Sequence, residues 1–328
     1  MPAPRLPPSK RQYVRQPLPG FVEFQHPQLV AEPPSGAHWL HEIKFDGYRF
    51  QARIESGGVT LFTRRGHDWT DKLPELAADL SDLRDCILDG ELCFLDPRGQ
   101  PTFSGLRAAI GKRQTAPLVF FAFDALWRGQ DDLRTFALED RKEILAHLLD
   151  DLAAPRIRYV EPLPFDGQAL MTAACRMGLE GIVSKRRTAK YVAGRGEGWV
   201  KAKCKLAQEL VIGGWVQEKG RHLKSLLMGV YEGGKLRYVG SVEHGLSRAG
   251  RDLETRLEAL ARKTRPFAAG DPPSASGVGV RWCEPGLVAQ VEFQEWTASG
   301  KIRHASLQGL RDDKDPREVR RERAEDVI

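Results

Sequence analysis

Alternation of apolar and polar positions begins at residue 39 and predicts two successive strands, 39–45 and 48–54, separated by Asp46-Gly47. An Asp-Gly pair between two period-two runs supplies the left-handed dihedrals of a tight hairpin, so Lys44 is expected near the tip of a rigid hairpin. Gly57-Gly58 turns the chain into a third strand, 59–63, which ends at Arg64-Arg65-Gly66. Leu73, Leu76, Ala77 and Leu80 share one face at helical spacing and predict a helix over 71–83. Residues 87–95, carrying Asp89-Gly90, predict a strand or strand pair, 103–110 a short helix, and 118–125 an apolar strand bearing Phe120, Phe121 and Phe123. Helices over 133–152 and 166–177 bracket a strand at 157–160, the second with Asp166 as N-cap and Gly178 as stop. A strand at 179–185, a glycine-rich turn at 194–198 and a strand at 199–203 follow. Lys201 and Lys203, two apart on that last strand, point to one face.

Beyond residue 205 the pattern changes to short strands at 209–217, 226–231, 236–242 and 287–296, with one helix over 248–263 and a Gly/Pro/Ser-rich loop at 268–279. Such a run predicts a small barrel of the OB type, reached through a linker at 204–208. The expected division is therefore a Pro-rich basic arm (1–20), an α+β domain built on antiparallel sheets (21–205), and an all-β OB-fold domain with a charged tail (206–328). The arm has too few apolar groups to pack alone and reads either as plain disorder or as a basic segment touching a DNA backbone. Residues 315–328 mix Arg and Glu and predict a solvated helix.

The length of 328 residues suits two domains, and 41% hydrophobic with 29% charged residues is the balance of a soluble globular protein. No run approaches eighteen apolar residues and the N-terminus has no apolar segment, so neither a membrane span nor a secretory signal is expected, and the cytoplasm is the expected location. Cys86, Cys93, Cys175, Cys204 and Cys283 are odd in number and scattered without C-x-x-C spacing, which argues against a disulfide framework and a structural zinc site. A formal charge of +6 suits a polyanionic partner.

The candidate chemistry comes from charges at strand ends. Transfer of an adenylyl group to an amine needs a lysine nucleophile, carboxylates for a divalent metal, cations for the α-phosphate and a slot for the base. A free lysine is protonated at neutral pH, and neighbouring cations and metal that favour the neutral amine would correct this. Lys44, Glu91, Glu180, Lys201 and Lys203 fit that list. Each also has a bland reading: Asp89-Gly90-Glu91 as a hairpin turn, Glu180-Gly181 as a helix-to-strand junction, Lys201 and Lys203 as the solvated face of an edge strand, Phe123 as core.

The order of these residues resembles the nucleotidyltransferase superfamily of ATP-dependent DNA ligases, RNA ligases and mRNA capping enzymes. The motifs that carry it are Lys44-Phe-Asp46-Gly47-Tyr-Arg49, Thr63-Arg64-Arg65-Gly66, Leu88-Asp89-Gly90-Glu91, Phe121-Ala-Phe123-Asp124, Glu180-Gly181-Ile182-Val183-Ser-Lys185, Trp199-Val-Lys201-Ala-Lys203 and Leu310-Arg311-Asp312-Asp313-Lys314. Within the superfamily the chain looks most like the ligase module of bacterial non-homologous end-joining ligases, particularly through Tyr191-x-x-Gly194-Arg195 and the run from Arg303 to Lys314. Gly196 departs from the Ser or Thr that many relatives carry.

The resemblance implies an ATP-dependent DNA ligase that seals 5′-phosphate/3′-hydroxyl breaks in duplex DNA through lysyl-AMP and DNA-adenylate. Lys44 is the implied nucleophile. Glu42, on the same strand face, reads the adenine amino group, Phe123 stacks on the base and Arg49 binds the ribose. Arg64 holds the 5′-phosphate, Glu91 and Glu180 serve the magnesium (or manganese) and ribose environment, and Lys201 and Lys203 meet the α-phosphate. Arg311 and Lys314, with Asp313, close onto the β,γ-phosphates and then swing away. Asp46, Gly47, Lys185 and Arg195 support these groups. The implied partners are nicked or broken DNA and a Ku-type end-binding protein or separate polymerase module, with the protein a monomer near the nucleoid. An RNA ligase or capping guanylyltransferase, and a non-catalytic nucleic-acid-binding module, are the rival readings.

Overall fold

In the computed structural model, which describes residues 17–150, 152–204, 206–217, 223–249, 252–273 and 279–322, the strands on either side of Asp46-Gly47 lie in different sheets. The chain divides after Cys204 into two units. The strands of the first are β1 (Gln25–Leu29), β2 (Trp39–Lys44), β3 (Tyr48–Glu55), β4 (Gly58–Thr63), β5 (Cys86–Phe94), β6 (Leu118–Arg128), β7 (Asp131–Asp132), β8 (Ile157–Tyr159), β9 (Gly181–Arg186) and β10 (Gly194–Lys203). One sheet has the order β1-β10-β9-β2; the other runs β4-β3-β5-β6-β7, with β8 parallel on β6. The expected hairpin is thus a crossing from sheet to sheet. Gly47 does not take the left-handed region, and what it supplies is room: a Cβ there would lie 2.2 Å from the Leu92 carbonyl oxygen.

Side-chain alternation decides what each sheet covers. In the second sheet Tyr48, Phe50, Leu88, Leu92, Phe120 and Ala122 face a core closed by α1 (Pro74–Leu80), α2 (Phe103–Gly111) and α3 (Leu138–Asp150). In the first, Trp39, Ile182, Val200 and Ala202 face α4 (Gly167–Arg176) through Leu170 and Ala174. The opposite face of each sheet carries polar and aromatic groups. Asp124 and Arg141, both 0% exposed, form a two-bond pair at 2.8 Å that ties α3 to β6.

Several boundaries differ from the expectation, each for a local reason. Pro74 has no N–H and a fixed φ, so it opens α1, and residues 70–72 form a 3-10 turn instead of helix. The helix expected over 133–152 is divided by a 3-10 turn at 133–135 capped by Asp132. Asp166 caps α4 by accepting from the Gln168 N–H, and Gly178, at φ +73, stops it. Residues 194–198 are not a free turn: Gly194 and Arg195 pair with Gln25 and His26, because β1, which no clear alternation announces, runs parallel to β10. Cys175 and Cys204 are joined as a disulfide, against the expectation that the cysteines stay apart. Packing of α4 on the first sheet brings together residues 29 apart in sequence, which spacing alone does not show. Residues 1–16 of the expected arm lie outside the described residues, whereas Leu18 packs beside Val22 and Trp127 and the Pro19 carbonyl accepts from Arg53.

The second unit contains β11 (Leu206–Gln217), β12 (Leu223–Glu232), β13 (Lys235–Val242), β14 (Ala261–Arg262), β15 (Val280–Phe293), β16 (Glu295–Trp296), β17 (Ile302–Arg303) and β18 (Ser306–Leu310). The sheet order is β13-β12-β11-β15-β14 with β18 on β15, the OB-type arrangement of an all-antiparallel barrel around Trp215, Phe267 and Trp282. Its helix, α5 (Leu253–Ala259), is shorter than the expected 248–263 because residues 261–262 pair with Cys283 and Trp282 as strand. The tail expected as a helix is a 3-10 turn at 316–318 followed by buried Val319, whose carbonyl accepts from the Tyr231 N–H; residues 323–328 lie outside the described residues. Among the described residues no helix is long and apolar enough to cross a membrane.

Candidate active site

Register places the predicted lysines side by side. Lys44 on β2 is opposite Gly181 on β9, which is opposite Lys203 on β10; one step along, Glu42 is opposite Val183 and Val183 opposite Lys201. Leu40, Lys185 and Trp199 form the next row. Directly opposed residues share a face, so Glu42, Lys44, Lys185, Lys201 and Lys203 all project from one side of this sheet, away from the α4 core. Gly181 sits at φ +151, and a Cβ there would lie 2.1 Å from the Ala202 carbonyl oxygen, so only glycine lets the three strands close at this row.

Glu180 joins the row's two lysines. Its Oε2 lies 2.5 Å from Lys44 Nζ and its Oε1 3.9 Å from Lys203 Nζ. Burial lowers the pKa of the Lys44 ammonium, but Glu180, Glu91 and Asp46 together hold it above the ordinary 10.5. This reverses the expectation that neighbouring groups favour the neutral amine: in the protein by itself the carboxylates outweigh burial, and Lys44 is held as an ammonium.

The second sheet supplies the facing wall. Arg49 is opposite Glu91, which is opposite Phe121. The β5–β6 register steps from Asp89/Asp124 to Gly90/Ala122, so Phe123 is the extra residue of a β-bulge, a device that re-aims a side chain. Its ring borders two hydrophobic clusters, lies 6.1 Å edge-on from Trp199, and has the Lys185 ammonium 4.5 Å from its centroid. Arg49 donates twice to the fully buried Asp89, at 2.9 and 2.6 Å, and once to the Gln25 carbonyl, at 2.6 Å. Tyr191 donates to Asp89 at 2.8 Å and accepts from the Gln25 N–H.

Glu42 is buried at 2% exposure, with Lys142 Nζ 2.7 Å from one carboxylate oxygen and Lys185 Nζ 2.6 Å from the other. Lys142, on α3, also donates to the carbonyls of Val160 and Phe123. Burial and then the Lys185 charge lower its pKa, opposed by Glu42. The motif pattern does not single out Lys142, and it contains Asp89 and Tyr191 without showing that they bond to Arg49 and to each other; a lysine within an amphipathic helix looks like solvated surface.

Arg64 follows β4 at the edge of the second sheet, partly exposed, and Arg195 is exposed on β10. In the second unit Arg311 donates twice to buried Asp313, at 2.8 Å, and Lys314 Nζ lies 3.0 Å from Glu209 Oε1, which is 3.9 Å from Arg311. Arg311 lowers the Asp313 pKa against the burial that would raise it.

Comparison with known proteins gives two family matches: the ATP dependent DNA ligase domain over residues 24–203 and the ATP dependent DNA ligase C terminal region over residues 219–314. The chain is 38% identical over 317 residues to the multifunctional non-homologous end joining protein LigD of Pseudomonas aeruginosa, covering 94% of this chain and 38% of that protein. It is also 38% identical over 293 residues to the multifunctional non-homologous end joining DNA repair protein LigD of Mycobacterium tuberculosis, covering 87% of this chain and 38% of that protein. The chain thus spans well under half the length of these relatives. A solved structure described as mycobacterial DNA ligase D complexed with ATP and MES is 34% identical, with a TM-score of 0.68 over 92% of this chain and 98% of that one.

Proposed function

The chain belongs to the ATP-dependent DNA ligases, enzymes that use ATP to join DNA, and from that premise we propose that it seals 5′-phosphate/3′-hydroxyl breaks in duplex DNA during end joining, with Lys44 as the adenylated residue. The observation that carries the assignment is the row Lys44–Gly181–Lys203, with Glu180 bridging its two ammonium groups. The unit that ends at Cys204 is the adenylating domain and the unit that follows it the OB-fold domain. The Lys44 amine attacks the α-phosphate of ATP and pyrophosphate leaves; the AMP passes to the 5′-phosphate of the break, and the 3′-hydroxyl displaces it.

Before that attack the ammonium must lose its proton to water, and Lys201 and Lys203, drawn to the α-phosphate, offset the charge of the triphosphate that would otherwise hold the proton on Lys44. Phe123 stacks on the base, Glu42 accepts from the adenine amino group, and Arg49, held by Asp89 and the Gln25 carbonyl, serves the ribose. Arg64 takes the 5′-phosphate through a guanidinium fork suited to it. Arg311 and Lys314 serve the departing pyrophosphate, which requires them to exchange Glu209 for phosphate oxygens; Asp313 keeps Arg311 oriented.

Among the described residues no three acidic, His or Cys side chains converge as a ready metal cage. Magnesium ordinarily takes one or two carboxylates and completes its shell with water and phosphate oxygens, so Glu91 and Glu180, both acting on Lys44, are a fitting donor set. When bound, magnesium or manganese neutralises charge on the phosphates. Recruitment by a Ku-type end-binding protein, cooperation with a separate polymerase module, action as a monomer, and a cytoplasmic, nucleoid-associated location complete the proposal; the LigD relatives are named for end joining.

The test is a chase. Protein adenylated with α-labelled ATP and freed of nucleotide should transfer its AMP to nicked duplex DNA and seal it. Discharge onto RNA but not onto nicked DNA would move the reading to an RNA ligase.

A further inference from the structure

We infer that Lys142, a residue outside every recognised motif, is the positioning residue that makes this enzyme select adenine: from α3 it fixes the carboxylate of Glu42 and the bulged strand that carries Phe123. Its ammonium touches three separate pieces of the slot, namely Glu42 Oε1 on β2 at 2.7 Å, the Phe123 carbonyl on β6 at 3.3 Å and the Val160 carbonyl after β8 at 2.5 Å. Its side chain is 4% exposed, so these bonds are made without competition from water. Asp124, the residue after Phe123, is held by Arg141, the residue before Lys142, so consecutive residues of α3 grip consecutive residues of the bulge.

The inference rests on the reading of Glu42 and Phe123 as the base-binding pair and adds what sets their chemistry. A carboxylate with one ammonium group 2.7 Å from its Oε1 and another 2.6 Å from its Oε2 is an acceptor only. Such a group accepts from an amino donor at the 6-position of a purine and repels a carbonyl oxygen there. Without Lys142 the carboxylate has one cation beside it instead of two and nothing on the α3 side to fix its direction. A carboxylate free to turn away from the purine 6-position neither holds an amino group there nor excludes a carbonyl oxygen, so discrimination against a 6-carbonyl base weakens.

The experiment measures covalent adenylation or guanylation of the protein with α-labelled ATP, GTP and purine riboside 5′-triphosphate, which lacks the 6-amino group. Wild type, Lys142→Met, Lys142→Arg and Glu42→Gln are compared, each first checked for folding by circular dichroism. Loss of a charged hydrogen bond to the amino group costs wild type on the order of tenfold or more in preference for ATP over the purine analogue. Lys142→Met is expected to raise the KM for ATP more than it lowers kcat and to collapse that preference. Lys142→Arg keeps the charge, is the variant least exposed to misfolding, and should retain most of it. If Glu42→Gln collapses the preference and Lys142→Met keeps it, or if Lys142→Met slows all three nucleotides equally, Lys142 is structural and the inference fails. A preference untouched by Glu42→Gln overturns the reading of the slot on which the inference rests.

Discussion

Glu180→Gln should make the Lys44 amine far more available. In the native protein Glu180, Glu91 and Asp46 hold this amine as an ammonium above its ordinary pKa of 10.5, despite burial. Even at the ordinary value only about one molecule in a thousand has a free amine at pH 7.5, and each further unit costs another tenfold. Removing one carboxylate in contact with an amine lowers its pKa by about 1–3 units, which raises the free fraction by about 10–1000-fold at a given pH. Glu91 and Asp46 remain, so the amine stays largely protonated at neutral pH. The sign for stability follows: with the folded pKa raised, the Lys44–carboxylate attraction is fully present below pH 10.5 and is lost as pH rises through the folded value. Competitive acetylation of the nucleotide-free protein across alkaline pH, with the Lys44 peptide quantified by mass spectrometry and folding followed by circular dichroism, reads the amine directly and needs no ATP. A wild-type midpoint at or below 10.5, or an unchanged midpoint in Glu180→Gln, would refute the argument that carboxylates govern the nucleophile.

Asp89→Asn leaves the Arg49 guanidinium without its buried carboxylate and should lower stability by about 3–5 kcal/mol, or about 6–20 °C in the melting temperature of a unit this size; differential scanning calorimetry checks it. Gly181→Ala places a Cβ 2.1 Å from the Ala202 carbonyl and should disrupt the Lys44–Lys203 row, lowering both the melting temperature and label transfer from ATP. Lys314→Ala should slow adenylation by ATP more than sealing of DNA that already carries the 5′-adenylate, as paired single-turnover assays would show, since Lys314 is assigned to pyrophosphate departure.

The linear order of the charged motifs made the candidate site legible, because period two alone puts Glu42 beside Lys44 and Lys201 beside Lys203. Register across strands was not legible: that Gly181 stands between Lys44 and Lys203 follows from the pairing of β2, β9 and β10. Asp46-Gly47 looked like a hairpin turn because the same dipeptide serves a tight turn and a close backbone approach, and only the Leu92 carbonyl distinguishes them. The bulge at Phe123 and the reach of Lys142 depend on how α3 lies on β6, which no local pattern encodes. Cys175 and Cys204 carry no spacing signal, and their pairing is a consequence of tertiary packing. In the second unit the strand count announced a barrel, whereas Glu209, which holds Lys314, looks in sequence like any polar strand residue.

The central claim is that Lys44 carries the adenylate. Incubation with α-labelled ATP and magnesium, followed by denaturation, digestion and mass spectrometry, should place AMP on Lys44, with Lys44→Ala unlabelled and nicked DNA removing the label from the wild type. Covalent AMP on another residue, or labelling of Lys44→Ala at the wild-type level, would contradict the account.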